Sequence, residues 1–191
     1  MEHNDRTTKR TDLSTLRLTQ MAVGSALIAA SAWISIPTPI PFTLQTFAVC
    51  ALSALLGPGR GTACVLVYLL TGAAGLPVFS GFRGGIGALF GVTGGYLIGF
   101  ILTALTVGYL TKKFGRTRKV LYPAMALGVI LCYIFGTAWF VMLYTRGGTP
   151  IGIGAALSKC VLPFIPADTA KIILAAEVTV RTDRVIRRRD L

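Results

Sequence analysis

Between Arg17 and Lys112 the chain carries only two charged side chains, Arg60 and Arg83, and between Lys119 and Arg146 it carries none. Stretches so poor in charge cannot face water over their whole length. About 20 apolar residues rising 1.5 Å each cross the hydrocarbon core of a bilayer, and residues 18–36 alone reach about that length. Composition agrees. Of 191 residues 14% are charged, and 53% are hydrophobic before any of the 22 glycines is counted, whereas a soluble domain has about 25% charged residues and 45–50% apolar ones with glycine included. The chain reads as an all-α integral membrane protein. The 18–36 run is a retained first helix, since a signal peptide has a shorter apolar core and a small-residue cleavage site.

Breaks in the pattern divide the chain into six apolar segments, 17–36, 42–56, 62–76, 85–110, 121–144 and 164–180. Pro37, Pro39 and Pro41 end the first, and Gly57-Pro58-Gly59-Arg60-Gly61 separates the second from the third, because proline lacks an amide donor and glycine accepts turn conformations. The second and third are short for a full crossing, so a bundle of six transmembrane helices is expected, with five as the other count. The connection 145–162 is long for a helix-to-helix link. Its glycine-rich, apolar composition assigns it to the outer face, partly helical. The organisation expected is a flexible cytoplasmic tail at 1–15, a six-helix membrane domain at 16–181 and a basic cytoplasmic tail at 182–191.

The charge balance is 19 Lys and Arg against 7 Asp and Glu, a net +12, which in a soluble protein would point to nucleic acid. With the N-terminus inside, however, 15 of the 19 basic residues fall on one side: Arg6, Lys9, Arg10 and Arg17, then Arg60, then Lys112, Lys113, Arg116, Arg118 and Lys119, and finally Arg181, Arg184, Arg187, Arg188 and Arg189. Basic residues collect in cytoplasmic loops. The excess therefore reads as topology, with both termini cytoplasmic, and nucleic acid is excluded as a partner.

Most enzyme chemistries lack their parts. The one histidine, His3, lies in the polar tail, so neither a histidine metal site nor a Ser–His dyad is expected. Cys50, Cys64, Cys132 and Cys160 form no C-x-x-C pair and read as small hydrophobes packed in the bilayer. There is no G-x-x-x-x-G-K-[ST] phosphate loop. Ser158 and Lys159 are adjacent, and adjacent helix residues do not face each other.

The charges that topology leaves over are more informative. Asp168 and Lys171 stand at i and i+3 near the start of the last segment, on one helix face. An ionisable side chain within the membrane costs roughly 2.5–3.5 kcal/mol on insertion scales and usually has a task. The pair either pins the helix or lines an outward-facing cavity, where Asp168 accepts N–H donors and Lys171 holds the site electropositive. Glu177 and Arg181 are spaced for an i,i+4 pair. Gly87, Gly91, Gly95 and Gly99 recur every four residues in the fourth segment, a packing groove, with Thr93 and Tyr96 beside it. Ala22, Ala26 and Ala30 make a second small-residue row on the first helix, either for packing or for docking another membrane protein. The loops 41–47, with Phe42 and Gln45, and 76–85, with Phe79 and Arg83, converge on the side where Asp168 begins, and together these residues describe an apolar pocket with a few placed polar groups.

These residues resemble the BioY family, the biotin-capturing S component of energy-coupling factor (ECF) transporters. The stretches that carry the resemblance are PFTLQTF at 41–47, LGPGRG at 56–61, YLLTGAAGLPVFS at 68–80, GGIGALFGVTGGYLIGF at 84–100 and LPFIPADTAKIILAA at 162–176. Val92, where the family usually has proline, Ala167, where it usually has glycine, and Phe82-Arg83 depart from the pattern. The resemblance implies a high-affinity biotin site near the outer surface. It also implies a transmembrane T component docked on Ala22, Ala26 and Ala30, and two cytoplasmic ATPases, so that this chain carries no cofactor and is not an enzyme. The substrate-binding set implied is Asp168, Lys171, Tyr96, Thr93, Phe79, Arg83, Gln45 and Phe42. The ureido N–H groups would go to Asp168, the ring to Phe79 or Tyr96, and the carboxylate to Lys171 or Arg83. The expected location is a bacterial or archaeal cell membrane. A self-sufficient transporter or channel for biotin or another small solute, as a single chain or an oligomer, is the alternative, and an intramembrane enzyme the remotest.

Overall fold

The computed structural model describes residues 2–38 and 40–189, with side chains over 15–38 and 40–186. The side chains of His3, Arg6, Lys9, Arg10, Arg187, Arg188 and Arg189 lie outside the described residues. The first helix, α1 (Glu2–Trp33), starts ahead of the boundary that composition draws at 15/16. The proline-rich segment then turns the chain through a two-residue antiparallel ladder, β1 (Ser35–Ile36) on β2 (Phe42–Thr43), in which Ser35 pairs with Thr43 and Ile36 with Phe42.

Helix α2 (Gln45–Ala73) is continuous by hydrogen bonding but not in direction, because Gly57 inside it has φ 79° and ψ 178°. A β-carbon at Gly61 would lie 2.6 Å from the Cα of Ser53. In a straight helix residues eight apart are about 12 Å apart. Likewise Gln45 Nε2 donates to Tyr68 Oη at 2.7 Å, across a separation that would span about 35 Å in a straight rod. The chain therefore doubles back at Gly57-Pro58 into an antiparallel helical hairpin, 45–56 and 58–73, which separates the second and third apolar segments as their glycine–proline break anticipates. Proline fits the first turn of the returning helix, where its missing N–H costs nothing.

The fourth segment departs from expectation. It is two helices, α3 (Ile86–Phe90) and α4 (Gly94–Phe114), with Gly91 extended between them. The glycine row therefore does not form one groove. Gly87 has open space around it, whereas Gly95 and Gly99 lie on α4 against α5 (Arg118–Arg146). There a β-carbon would meet Trp139 at 2.3 Å or Cys132 at 2.9 Å. Gly136 answers from α5, with its α-hydrogen on the Tyr96 ring. Close packing of this kind replaces the hydrophobic effect as the main source of helix association in lipid. The 145–162 connection contains α6 (Ile153–Cys160), and α7 (Phe164–Arg189) completes the chain.

Among the described residues three helices are long and apolar enough to cross a membrane by length and composition: Gln45–Ala73, Gly94–Phe114 and Arg118–Arg146. The hairpin geometry divides the first of these. Its halves rise only about 18 and 24 Å at 1.5 Å per residue, each short of a core about 30 Å thick. The exterior is strongly apolar, with Leu18, Leu70, Ile134 and Ile173 all exposed.

At the end of the bundle near Gly57, Arg116 donates to the carbonyls of Ala54 and Leu55 at 2.8 and 2.7 Å and pairs with Asp183 at 2.7 Å. It thereby satisfies the C-terminal carbonyls of helix 45–56 and ties that helix to α7. Glu177 binds Arg118 at 2.7 Å and accepts from Tyr122 Oη at 3.1 Å. The spacing had matched it to Arg181. Contact with α5 decides otherwise, since an i,i+4 pair on an exposed helix contributes only a few tenths of a kcal/mol.

Replacing Gly136 by valine puts a side chain into the Tyr96 ring and is expected to cost about 1–3 kcal/mol. Gly154→Ala, in open space on α6, is expected to be neutral or stabilising by up to about 1 kcal/mol. Thermal unfolding of the two variants, followed by tryptophan fluorescence, distinguishes them. Equal melting temperatures would refute the close α4–α5 approach.

Candidate functional site

One end of the bundle holds a cavity of about 810 Å³, open mouth included. It is walled by the 40–46 segment, the loop 79–83, the start of α4, the middle of α5 and the start of α7. Its walls are mainly apolar, which makes the few polar groups conspicuous.

Asp168, the one carboxylate among them in the described residues, is buried, 4% exposed. Lys171 Nζ lies 2.7 Å from its Oδ1, as the i,i+3 spacing requires. The other oxygen accepts from the hydroxyl of Tyr133 on α5. A buried ion pair is tolerated only when further hydrogen bonds satisfy the charges, and Tyr133 supplies one. Sequence reasoning missed Tyr133, which lies in a long apolar run with nothing beside it to mark its facing. The one available signal was the row Tyr133, Thr137 and Phe140 at i, i+4 and i+7 along α5.

On the opposite wall Gln45 is 4% exposed. It donates from Nε2 to Tyr68 Oη, its Oε1 accepts from Thr43 Oγ1 at 2.9 Å, and its backbone N–H donates to that same Thr43 oxygen at 3.3 Å. Tyr68 was also missed; it is fully buried and reaches Gln45 only because of the hairpin. Phe79 packs edge-on against Tyr68 with ring centroids 5.4 Å apart and covers Gly72, where a β-carbon would fall 2.0 Å from its ring. Tyr96 bridges to Thr137 at 3.0 Å, joining α4 to α5. Thr93 lies one turn ahead of it, as the helix N-cap.

Arg83 is exposed at the mouth, with its Nε donating to the Ser80 carbonyl at 3.2 Å. The preceding Phe82 has φ 55°, a left-handed conformation that is uncommon without glycine. It lets the loop close so that Phe79 N–H donates to the Arg83 carbonyl at 2.9 Å. Phe82 also stacks on Trp33, with centroids 5.4 Å apart.

Of the eight residues expected to bind substrate, Asp168, Lys171, Tyr96, Thr93, Phe79, Arg83 and Gln45 line this cavity. Phe42 does not. It stacks behind Phe164, centroids 4.0 Å apart and 10° from parallel, and Phe164 forms the wall. Cys132 and Cys160, expected only as packing, also line it as buried free thiols. Among the described residues no cluster of His, Cys, Asp and Glu could hold a metal ion. Ala22, Ala26 and Ala30 lie elsewhere, all exposed on one face of α1, while Gly24, Ser25, Ile28 and Ala29 turn inward.

The arrangement suits a compact ligand with an apolar body and paired N–H donors. Asp168, balanced by Lys171, offers it a fixed acceptor, while Arg83 makes the mouth electropositive.

Comparison with known proteins places the chain in a narrow group. Residues 4–188 match the BioY family. The "Biotin transporter BioY" of Thermotoga maritima is 41% identical over 172 residues, 88% of this chain and 96% of that protein. The "Probable biotin transporter BioY" of Pyrococcus horikoshii is 36% identical over 84% of this chain and 92% of the other. Among solved structures, the S-component for biotin from an ECF-type ABC transporter superposes with TM-score 0.79 at 28% identity, covering 91% of this chain and 93% of that one. These are names of transporters and of a transporter subunit, not of enzymes.

Within the ligand-free protein, Lys171→Ala leaves the Asp168 carboxylate buried without its cation and is expected to cost about 3–5 kcal/mol. Tyr133→Phe removes one hydrogen bond to a charged group, about 1.5–3 kcal/mol. Melting temperatures should fall in that order. A lysine variant as stable as the wild type would mean that the pair is not formed.

Proposed function

Because this chain belongs to the BioY family, we propose that it is the substrate-binding membrane subunit of an ECF-type transporter, capturing biotin in the cavity at Asp168. The buried Asp168–Lys171 pair, facing a mainly apolar cavity, is the observation that carries this reading. Biotin's ureido ring presents two N–H groups to a carboxylate already desolvated and oriented. Its apolar bicycle fits against Phe79, Tyr96 and Phe164. Lys171 is engaged with Asp168 in the depth of the site, so the exposed guanidinium of Arg83 at the mouth is assigned the carboxylate at the end of the flexible tail.

The topology proposed has six crossings: α1, the two halves of α2, α4, α5 and α7. Both termini are cytoplasmic and the cavity faces outward, in the cell membrane of a bacterium or archaeon. The short halves of α2 are accommodated because the 40–44 segment and the 74–85 loop continue the walls beyond them. The tail 1–15 and the basic tail 182–191 belong to the cytoplasmic side, though α1 and α7 extend through both boundaries. Transport is driven from outside this chain, by a T component docked on Ala22, Ala26 and Ala30 and by two ATPase subunits. The exposure of all three alanines supports that role, because small residues allow the close helix approach that association in lipid requires.

Calorimetry on the purified chain is expected to give tight biotin binding, largely abolished by Asp168→Asn and by Lys171→Ala. Arg83→Ala should weaken biotin by about tenfold, the loss of one charge-assisted hydrogen bond of about 1.5 kcal/mol, and leave biotin amide unaffected. Equal loss for acid and amide would move the carboxylate away from Arg83, and unchanged affinity in the first two variants would overturn the site.

Ala26→Leu should prevent co-purification of a T component while leaving biotin binding intact. Biotin uptake by cells that lack any T component and its ATPases would favour a self-sufficient transporter instead.

A further inference from the structure

The end of the bundle remote from the cavity carries a second cleft, between α1, the Gly57-Pro58 turn and the α4–α5 connection. Four cations line it: Arg17, Arg60, Lys112 and Arg116. Arg116 is committed to the Ala54 and Leu55 carbonyls and to Asp183, and Arg60 Nη1 donates to Gln20 Oε1 at 2.7 Å. Arg17 and Lys112 are exposed, and no ion pair holds either of them among the described residues. No acidic residue lines the cleft among the described residues. Converging like charges repel, and a bound anion would relieve that repulsion.

The backbone of the turn is open as well. Gly57 and Gly115 need glycine for their positive φ, 79° and 88°. Gly59 does not: its φ is ordinary and a β-carbon there would meet nothing within 4 Å. Glycine inside a helix costs about 1 kcal/mol relative to alanine, and neither packing nor conformation explains it here. Its effect is to leave the first turn of helix 58–73 without a side chain on the side of the cations. Leu16 and Leu56 give the cleft an apolar flank, and Leu16 and Leu18 continue it along the exposed side of α1.

We propose that this cleft binds a phosphate group, either the headgroup of an anionic phospholipid or a free phosphate. The apolar flank suits the acyl region of a lipid, and the cations with the open backbone suit its phosphate. The site is separate from the biotin cavity and does not depend on the reading of that cavity.

The test uses the full chain, delipidated in neutral detergent and titrated with phosphatidylglycerol or phosphatidylcholine, with bound lipid counted by native mass spectrometry. Phosphatidylglycerol should be retained over phosphatidylcholine. Removing a cation near an anionic surface should weaken retention about fivefold, so Arg17→Gln with Lys112→Gln should lower it about 25-fold. Gly59→Val keeps every charge but covers the turn, and should weaken it too while the melting temperature holds. Competition by inorganic phosphate assigns the site to the phosphate group from either source, and its failure to compete assigns it to the lipid. Binding of inorganic phosphate alone, lost in the double variant, assigns it to a soluble phosphate. Equal retention of the two lipids with no phosphate binding, or a double variant that binds as the wild type does, overturns the proposal.

Discussion

A carboxylate that has left water must have its lone pairs occupied, and the site is organised around how Asp168 meets that demand. Lys171 reaches it from one turn further along α7, and Tyr133 reaches it from α5. The second contact is the consequential one. It requires α5 and α7 to lie side by side at the level of the cavity, which in turn requires α5 to be held against α4. The Tyr96–Thr137 bond and the glycines at 95, 99 and 136 do that holding. The cost of an unpaired buried charge is thereby spread over three helices.

The opposite wall is fixed by a different device. Gln45 opens one arm of the helical hairpin and Tyr68 lies on the other, and their hydrogen bond sets the register between them. Phe79 then closes over Gly72 and Tyr68, so the loop that carries Arg83 to the mouth rests on the hairpin. At the far end Arg116 occupies the carbonyls that helix 45–56 leaves at the turn. Within lipid an unsatisfied backbone group costs several kcal/mol, and for the carbonyls of Ala54 and Leu55 a side chain from the α4–α5 connection meets the requirement.

Much of this was legible beforehand. Asp168 and Lys171 stood out because every other cluster of charge had a topological explanation, and the cost of charge in lipid makes an exception informative. Gly57-Pro58 marked the reversal of α2, since the local chemistry of the turn is written in those two residues. The partners were less visible. Tyr133 and Tyr68 lie in apolar runs where each face of a helix looks alike. Phe42 was assigned to the pocket, yet stacks behind Phe164; its loop was correctly located and its direction was not. Glu177 found Arg118 rather than Arg181 because a contact between helices outweighed a spacing within one. The glycine row in the fourth segment was broken at Gly91, since periodicity gives no notice of where one helix stops and another resumes.

The sequence by itself determined that the chain lives in a membrane, where its apolar segments lie and which residues stay charged there. Hydropathy and charge cost are properties of each residue that add along the chain without reference to distant neighbours. Tertiary structure decided which of those residues meet: that Gln45 faces Tyr68, that Tyr133 completes Asp168, and that Arg83 stands at the mouth while Lys171 lies in the depth. Such pairings depend on helix rotation and register, which close packing between helices sets and local composition does not encode.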